Sequence, residues 1–192
     1  MKKGILIVIS GPSGVGKGTV ISEFINDPEL NLMYSISMTT RNIRKGEVDG
    51  VNYHFVDKER FLQAIDNDEF LEWAEFVGNY YGTPTKSVND ALNQGKNVIL
   101  EIEVDGTNQV KTKCPDALTI FITAPSLDEL RKRIENRSSE TVDVIQRRLD
   151  KARKELEFLH QYKYVVCNED PILAADIIKL IIKRTVELKN NK

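Results

Sequence analysis

A glycine-rich run between an apolar segment and a helical pattern is the part of this chain whose residue types could do chemistry. The run directly follows the apolar residues 5–9. Its glycines let successive backbone N–H groups point at one anion, a helix N-terminus adds partial positive charge, and Lys17 can reach a terminal phosphate. An ordinary turn needs no such lysine, so the run predicts a nucleoside triphosphate site. The residues expected to bind the triphosphate are Gly11, Ser13, Gly14, Val15, Gly16, Lys17, Gly18 and Thr19.

The position after the lysine departs from the usual form of such loops. That form places Ser or Thr directly after the lysine, where the hydroxyl ligates magnesium. Here Gly18 occupies the position, and Thr19 comes one residue later. We expect Mg²⁺ to accompany the triphosphate, held through water or by acids elsewhere, and its protein ligands stay open.

Composition limits the class of protein. A chain of 192 residues, 41% of them hydrophobic, can bury one core and carry an inserted subdomain. The formal net charge of −2 argues against a dedicated nucleic-acid binder. No segment has the length of a membrane span, and the two cysteines have neither metal-type spacing nor a disulfide framework. We therefore expect a cytoplasmic protein without membrane or nucleic-acid partners, and the sequence leaves open whether it is a monomer or a homo-oligomer.

Short β-branched runs alternate with helical patterns along most of the chain. The runs are residues 5–9, 98–103, 118–122 and 164–167. Such alternation predicts an α/β fold in which helices cover a parallel sheet. Between residues 35 and 95 the rhythm changes to aromatic-rich strand candidates at 51–56 and 70–81, with a helix at about 57–67. This stretch predicts a small β-rich module inserted into the core.

A second anion site is indicated inside that module. Arg41 and Arg44 lie three residues apart, and guanidinium groups suit bidentate phosphate binding. Tyr53 and Tyr81 could donate hydroxyl hydrogen bonds to the same group. The alternative is a solvated loop with two aromatic core residues, and spacing alone does not decide between them.

Glu72 is an acid between large apolar residues, where a buried carboxylate needs a partner. Guanine offers one, because its N1–H and exocyclic NH₂ are two adjacent donors that match two carboxylate oxygens. Adenine presents an acceptor at N1, so the same site would reject it. The alternative is a strand alternation that leaves Glu72 exposed to solvent.

Together these residues resemble the guanylate kinase family over essentially the whole chain. The segments that carry the resemblance are residues 11–19, 37–41, 46–53, 72–76, 78–83 and 101–104. The resemblance implies an ATP:GMP phosphotransferase, acting on GMP and dGMP with Mg²⁺, on a three-layer P-loop NTPase fold. It also implies a single domain with a core at about 1–34 and 96–192, a GMP-binding module at about 35–95 and a helical lid at about 137–147.

The resemblance implies roles for individual residues. Arg41, Arg44, Tyr53 and Tyr81 would hold the GMP phosphate, and Ser37, Glu72 and Thr83 would recognise guanine. Arg133, Arg137 and Arg148 occupy positions of lid and core arginines that close over the transferring phosphates, and Asn168 resembles the residue near adenine. The groups expected to act in catalysis are Lys17, Arg41, Arg137 and Arg148.

Glu101 and Glu103 lie two residues apart in a predicted strand, so we expect both to face the cleft at its carboxyl end. Members of the family often have aspartates at both positions. The longer side chains leave open whether they contact GMP or a magnesium-bound water. Asp105 also replaces a frequent family glutamine, and its consequence is open.

Two other functions are compatible with this type of fold. In an interaction module the GMP pocket would bind phosphopeptides and catalysis would be lost, but such modules tend to lose the loop lysine or the acceptor-site residues. A kinase for another small phosphorylated acceptor is the other alternative. The retained Lys17, Arg41, Arg44 and Glu72 favour a GMP kinase over both.

Overall fold

The computed structural model describes residues 2–137 and 142–191. Its strands are β1 (Leu6–Ser10), β2 (Leu32–Tyr34), β3 (Met38–Thr39), β4 (His54–Phe55), β5 (Phe70–Phe76), β6 (Asn79–Pro84), β7 (Asn97–Glu101), β8 (Leu118–Thr123) and β9 (Tyr164–Cys167). Its helices are α1 (Lys17–Ser22), α2 (Lys58–Asp66), α3 (Thr85–Asn93), α4 (Val104–Lys113), α5 (Leu127–Arg137), α6 (Val142–Leu156) and α7 (Pro171–Asn190).

Five strands form a parallel sheet in the order β2-β7-β1-β8-β9. All five residues of the central strand β1 are buried, because helices cover both faces of the sheet. Ile7 and Ile9 belong to one apolar cluster with Ile178 of α7, and Val8 packs on the other face with Leu92 of α3. The predicted α/β fold with a helix-covered parallel sheet is confirmed.

The central position of β1 determines where chemistry can take place. Its carboxyl end opens into the glycine-rich loop and then into α1. Open α/β sheets bind ligands at this edge, because the loops after neighbouring strands meet there. The loops that follow β7, β8 and β9 reach the same edge.

A second, four-stranded sheet has the order β4-β3-β6-β5. β5 and β6 form an antiparallel hairpin that turns at Val77 and Gly78, both at positive φ. α2 packs on this sheet through Phe61, whose ring stacks on Phe70 with 4.6 Å between centroids. The predicted β-rich module is confirmed. Within the stretch 51–56, only His54 and Phe55 form a strand.

The hairpin joins the core through α4. The side-chain amide of Gln109 donates to the backbone oxygen of Trp73 and accepts from its backbone N–H, at 2.9 and 3.1 Å. On the same strand a register shift between Phe70 and Glu72 marks a β-bulge. A bulge changes which face a residue points to, and here Phe70, Leu71 and Glu72 are all buried.

One predicted strand end is wrong. β7 ends at Glu101, and Glu103 is the N-cap residue of α4, so the two acids do not alternate along one strand. The apolar pattern continues through Ile102 and Val104, but α4 begins at Val104, and its buried residues Val104, Thr107 and Val110 recur every three residues, as on a helix.

The predicted lid at about 137–147 is only partly covered. α5 ends at Arg137 and α6 begins at Val142, while residues 138–141 and the side chain of Arg137 lie outside the described residues. None of the described helices is long and apolar enough to cross a bilayer.

Truncation of Phe61 tests the packing of the module. Phe61 is fully buried against Phe70 and Tyr80, so Phe61→Ala should lower the free energy of unfolding by about 3–5 kcal/mol. Urea denaturation measures the change, and Leu62→Ala, at an exposed position on the same helix, serves as the control. A loss below about 1 kcal/mol for Phe61→Ala would contradict the packing described.

Candidate active site

The glycine-rich loop has a backbone that only glycine can adopt. Gly11, Gly14 and Gly16 have φ angles of 149°, 89° and 91°. A Cβ atom on Gly11 would lie 2.2 Å from the backbone oxygen of Ile122 in β8. The loop is therefore pressed against the sheet at the point where β1 gives way to α1.

Lys17 lies at the first residue of α1 and folds back over the loop. Its ammonium donates to the backbone oxygens of Gly11 and Pro12, at 2.6 and 3.3 Å. Burial lowers the pKa of this ammonium, and the carboxylates of Glu101, Glu155 and Glu103 oppose that shift. These acids therefore favour the charged form of the lysine, which is the form that the predicted phosphate contact requires.

Two side chains from distant parts of the chain brace the loop. Arg148 of α6 donates to the hydroxyl oxygen of Ser13 at 2.8 Å. Asn168, directly after β9, is buried and donates through Nδ2 to the backbone oxygen of Val15 at 2.8 Å. The loop is thus held by Arg148, which the resemblance assigned to catalysis, and by Asn168, which it placed near adenine.

Arg133 lies near the same place. Its guanidinium donates to the backbone oxygen of Asn168 at 2.8 Å and forms an ion pair with Glu129 at 3.0 Å. The structure therefore brings the predicted catalytic residue Arg148 and the predicted ATP-binding residue Asn168 to the phosphate loop, and it places Arg133 on the backbone of Asn168.

The acceptor arginine Arg41 is held by an acid that the sequence reasoning missed. Glu47 accepts two hydrogen bonds from the Arg41 guanidinium, at 2.8 and 2.9 Å, and one from the backbone N–H of Arg44 at 2.8 Å. These hydrogen bonds, first of all those from Arg41, lower the pKa of Glu47 to about 2. Glu47 thus fixes the direction of Arg41, and the signal for it was an acid within six residues of the arginine pair. The Arg44 side chain is exposed at the rim of the module.

Aromatic residues support the same guanidinium. The Arg41 guanidinium carbon lies 5.3 Å from the centroid of the Tyr53 ring, and the rings of Tyr53 and Tyr81 meet edge to face at 6.1 Å. The four predicted phosphate contacts therefore come together in one place, with Arg44 the most exposed of them. A cavity of about 130 Å³ adjoins them, and its lining includes Ser37, Tyr53, Thr83 and Glu101.

Glu72 lies at the joint between the module and the core. It is only 7% exposed, and its carboxylate accepts a hydrogen bond from the Thr83 hydroxyl. Burial raises the pKa of this carboxyl, and the hydrogen bonds from Thr83 oppose the shift. This burial excludes the exposed alternative for Glu72.

Gly106 makes room for the Glu72 carboxylate. A Cβ atom at this position of α4 would lie 2.7 Å from Oε2 of Glu72. Any larger residue at this position would displace the carboxylate. The absence of a side chain at Gly106 therefore lets α4 pack against Glu72.

Glu101 and Glu103 both approach Lys17, but from different elements. Glu101 accepts a hydrogen bond from the Tyr34 hydroxyl at 2.7 Å, a partner that the sequence did not indicate. Burial and the neighbouring Glu101 raise the pKa of Tyr34. Glu103 is exposed and forms an ion pair with Lys151 of α6 at 2.8 Å. We expected both acids to face the cleft from one strand. That expectation is wrong, because Glu101 ends β7 and Glu103 is the N-cap residue of α4.

The described residues contain no group of three or more His, Cys, Asp or Glu side chains placed to hold a metal ion. Phosphate loops usually have Ser or Thr at the position of Gly18. Glu101 lies beside this position, since a Cβ atom on Gly18 would lie 3.9 Å from Oε2 of Glu101.

Another cavity lies at the opposite edge of the sheet. It has a volume of about 630 Å³ and is lined by residues such as Lys3, Leu92, Lys113, Cys114 and Lys189. Lys113 and Lys189 lie in the last turns of α4 and α7, where lysine complements the helix dipole. The cavity is therefore remote from the phosphate loop and from the acceptor cleft.

Comparison with known proteins gives a consistent result. The model of the family described as guanylate kinase matches residues 3–184. The crystal structure of guanylate kinase from Anaplasma phagocytophilum superposes with a TM-score of 0.74 at 34% identity, and the match covers 95% of this chain and 86% of that one. A protein from Thermus thermophilus shares the fold, with a TM-score of 0.54 at 18% identity over 95% of this chain and 98% of that one. The chain therefore belongs to the guanylate kinase family and is an ATP:GMP phosphotransferase.

Proposed function

We propose that the protein transfers the γ-phosphoryl group of ATP, as its Mg²⁺ complex, to GMP and to dGMP, giving ADP and GDP or dGDP. The observation that carries the choice of acceptor is the buried carboxylate of Glu72, beside Thr83 and across the cleft from the phosphate loop. Buried carboxylates need donors, and the guanine edge supplies two. The proposed contacts are to base and phosphate, with none assigned to the ribose 2′-hydroxyl, so dGMP should be accepted as well.

Recognition of the base follows from the two side chains at this point. Glu72 would accept from the guanine N1–H and NH₂ groups, while Thr83 holds the carboxylate in place. Ser37 lines the adjoining cavity and would contact the same base. A purine with an acceptor at N1 would leave a buried carboxylate unpaired, which costs about 1–3 kcal/mol or more.

Positioning of the GMP phosphate would fall to Arg41, Arg44, Tyr53 and Tyr81. Glu47 and the aromatic rings already orient the Arg41 guanidinium, so little side-chain freedom is lost when the phosphate binds. The phosphate monoester, with a second pKa of about 6, is largely dianionic at neutral pH. The attacking oxygen is therefore ionised on arrival, and no general base is required.

Electrostatic repulsion is the main barrier, since two polyanions must meet in line. Lys17, the loop N–H groups and Arg148 would neutralise the triphosphate, and Arg133 and Arg137 would close over it. Asn168 would border the adenine while it holds the loop.

A magnesium ion would enter with the nucleotide. Gly18 offers no side-chain oxygen to the metal. The residues present therefore fit a magnesium ion that is bound by phosphate oxygens and water, and Glu101 is close enough to hold one of these water molecules. The ion supplies charge neutralisation at the transferring phosphate.

An assay of ADP release in the presence of AMP, GMP, dGMP, CMP or UMP tests the function. We expect turnover with GMP and dGMP and little above the ATP-only background with the others. Equal turnover with AMP and GMP would refute the proposed acceptor.

Removal of the loop ammonium should separate catalysis from acceptor binding. Lys17→Met should lower kcat by about 10²- to 10³-fold or more, because one preorganised charge that stabilises the transition state is lost. The Kd for GMP, measured by calorimetry, should stay within about twofold, since Lys17 lies on the ATP side. Lys154→Met, at an exposed position of α6, is the matched control. A near-normal kcat for Lys17→Met would contradict the assignment.

Neutralisation of the base-recognising acid should erode selectivity. Glu72→Gln presents an NH₂ group where guanine also donates, so kcat/KM for GMP should fall by about 10- to 150-fold, the range that corresponds to a charged hydrogen bond. The activity with AMP should not fall in parallel. Glu75→Gln, exposed on the same strand, is the control. An unchanged ratio of GMP to AMP activity would remove the argument from Glu72.

The space above Gly106 gives a third test. Gly106→Ala improves helix propensity by about 1 kcal/mol, but its methyl group pushes on the Glu72 carboxylate. The KM for GMP should therefore rise by about tenfold or more while the urea midpoint stays near that of the wild type. Thr112→Ala, exposed on the same helix, should leave both quantities unchanged. A normal KM with Gly106→Ala would show that Glu72 does not contact the base.

A further inference from the structure

Tyr34, the last residue of β2, contacts a residue of the candidate active site but has no role in the proposed reaction. Its hydroxyl donates a hydrogen bond of 2.7 Å to Oε2 of Glu101, the last residue of β7. Both residues line the cavity of about 130 Å³ that adjoins the predicted phosphate contacts. They lie 67 positions apart in the chain, so the contact depends on how the sheet is assembled.

The register of the parallel sheet explains this contact. β2 is an edge strand that pairs with β7, and Tyr34 lies opposite Ile99. Glu101 follows two residues later on β7, so its side chain points to the same face of the sheet as that of Ile99. Ile99 packs in one apolar cluster with Val20 of α1. Glu101 is therefore directed to the side of the sheet on which α1 lies.

The oxygen that accepts from Tyr34 also lies beside the phosphate loop. A Cβ atom on Gly18, the second residue of α1, would lie 3.9 Å from this same Oε2 atom of Glu101. The Tyr34 hydroxyl and the residue after Lys17 thus approach one carboxylate oxygen. This carboxylate is the group proposed to hold a water molecule of the magnesium ion.

A glutamate depends on such a partner more than an aspartate does. Its side chain has one more rotatable bond, so it loses more conformational freedom when the carboxylate is held in one place. A hydrogen bond from a hydroxyl to an ionised carboxylate is one of the strong kind, which can hold it. Burial and the neighbouring Glu101 raise the pKa of Tyr34, so the phenol keeps its proton at neutral pH and remains a donor. Tyr34 therefore restrains Glu101 without neutralising its charge.

We propose that Tyr34 is a positioning residue for this phosphotransferase: its hydroxyl holds Oε2 of Glu101 beside Gly18, where the carboxylate can bind the water shell of the magnesium ion. Tyr34 acts through Glu101, and its effect appears in the binding of ATP as the magnesium complex. The inference rests on the proposed function for the presence of the metal. Its test therefore reads binding and not turnover.

A double-mutant cycle between Tyr34 and Glu101 tests this claim. The Kd of ATP is measured by calorimetry with Mg²⁺ and again in EDTA, and the ratio of the two values is the gain in affinity that the metal provides. The four proteins are the wild type, Tyr34→Phe, Glu101→Ala and the double variant. Tyr34→Phe should lower the gain about fivefold, within the range of couplings between residues in contact. In the Glu101→Ala background the same change should alter the gain less than about twofold, because the group through which Tyr34 acts is gone.

Controls separate positioning from a general structural effect. Tyr164→Phe is the matched variant, because Tyr164 of β9 and Tyr34 are both 41% exposed, and it should leave the gain unchanged. For Tyr34→Phe, the Kd of ATP in EDTA and the Kd of GMP should stay within about twofold of the wild type, since the aromatic ring is retained. A purely structural role would weaken all of these ligands alike.

Three results would overturn the inference: an unchanged gain for Tyr34→Phe, an equal decrease with and without the Glu101 side chain, or a parallel loss of affinity for GMP or for ATP in EDTA. A wild-type protein that binds MgATP and shows the coupling, but phosphorylates no GMP, would refute the proposed function and leave the role of Tyr34 intact.

Discussion

Repulsion between two phosphate chains is the constraint on which the rest of this structure depends. A donor triphosphate and an acceptor monophosphate must lie in line within bonding reach, although both are anions. The chain has a formal net charge of −2, so it offers no general attraction for them. Positive charge has to be gathered locally at the carboxyl edge of one sheet, where Lys17 and Arg148 contact the glycine-rich loop and Arg133 contacts the backbone of Asn168 beside it.

Gathering cations in one place is itself costly, and acids in the surroundings offset that cost. Glu47 holds Arg41, Glu129 holds Arg133, and three carboxylates act on Lys17. Glu47 and Glu129 also restrict the directions of their partners, because each forms a direct ion pair. The site is therefore organised before substrate arrives, and less conformational freedom is lost on binding.

The fold supplies the rigid parts of this arrangement. β1 is buried along its whole length and presses the loop against β8, so that Gly11 has no space for a side chain. Asn168 then fastens the loop to the end of β9. The acceptor side depends on a different joint, where Gln109 of α4 holds the backbone of Trp73 beside Glu72, the acid proposed to recognise the base.

The sequence was sufficient wherever a function depends on residues close together in the chain. The phosphate loop follows from local spacing, and so does the parallel sheet from alternating β-branched runs. Glu103 was wrongly predicted to lie in a strand, because an apolar pattern alone does not show where a strand ends and the next helix begins. Tyr34 was missed because its partner, Glu101, is distant in sequence. The sequence left the burial of Glu72 open, because the alternation of its neighbours does not reveal the register shift in β5.

The central claim is that one edge of the sheet holds the ATP and GMP phosphates in line. The most direct measurement is the Kd of a bisubstrate compound in which five phosphates join adenosine to guanosine. If both sites face each other, the second nucleotide binds at an effective concentration in the millimolar range, and the affinity should exceed that for ATP by about 10²-fold or more. An affinity equal to that for ATP alone would show that the two phosphate sites are not aligned, and would contradict the account.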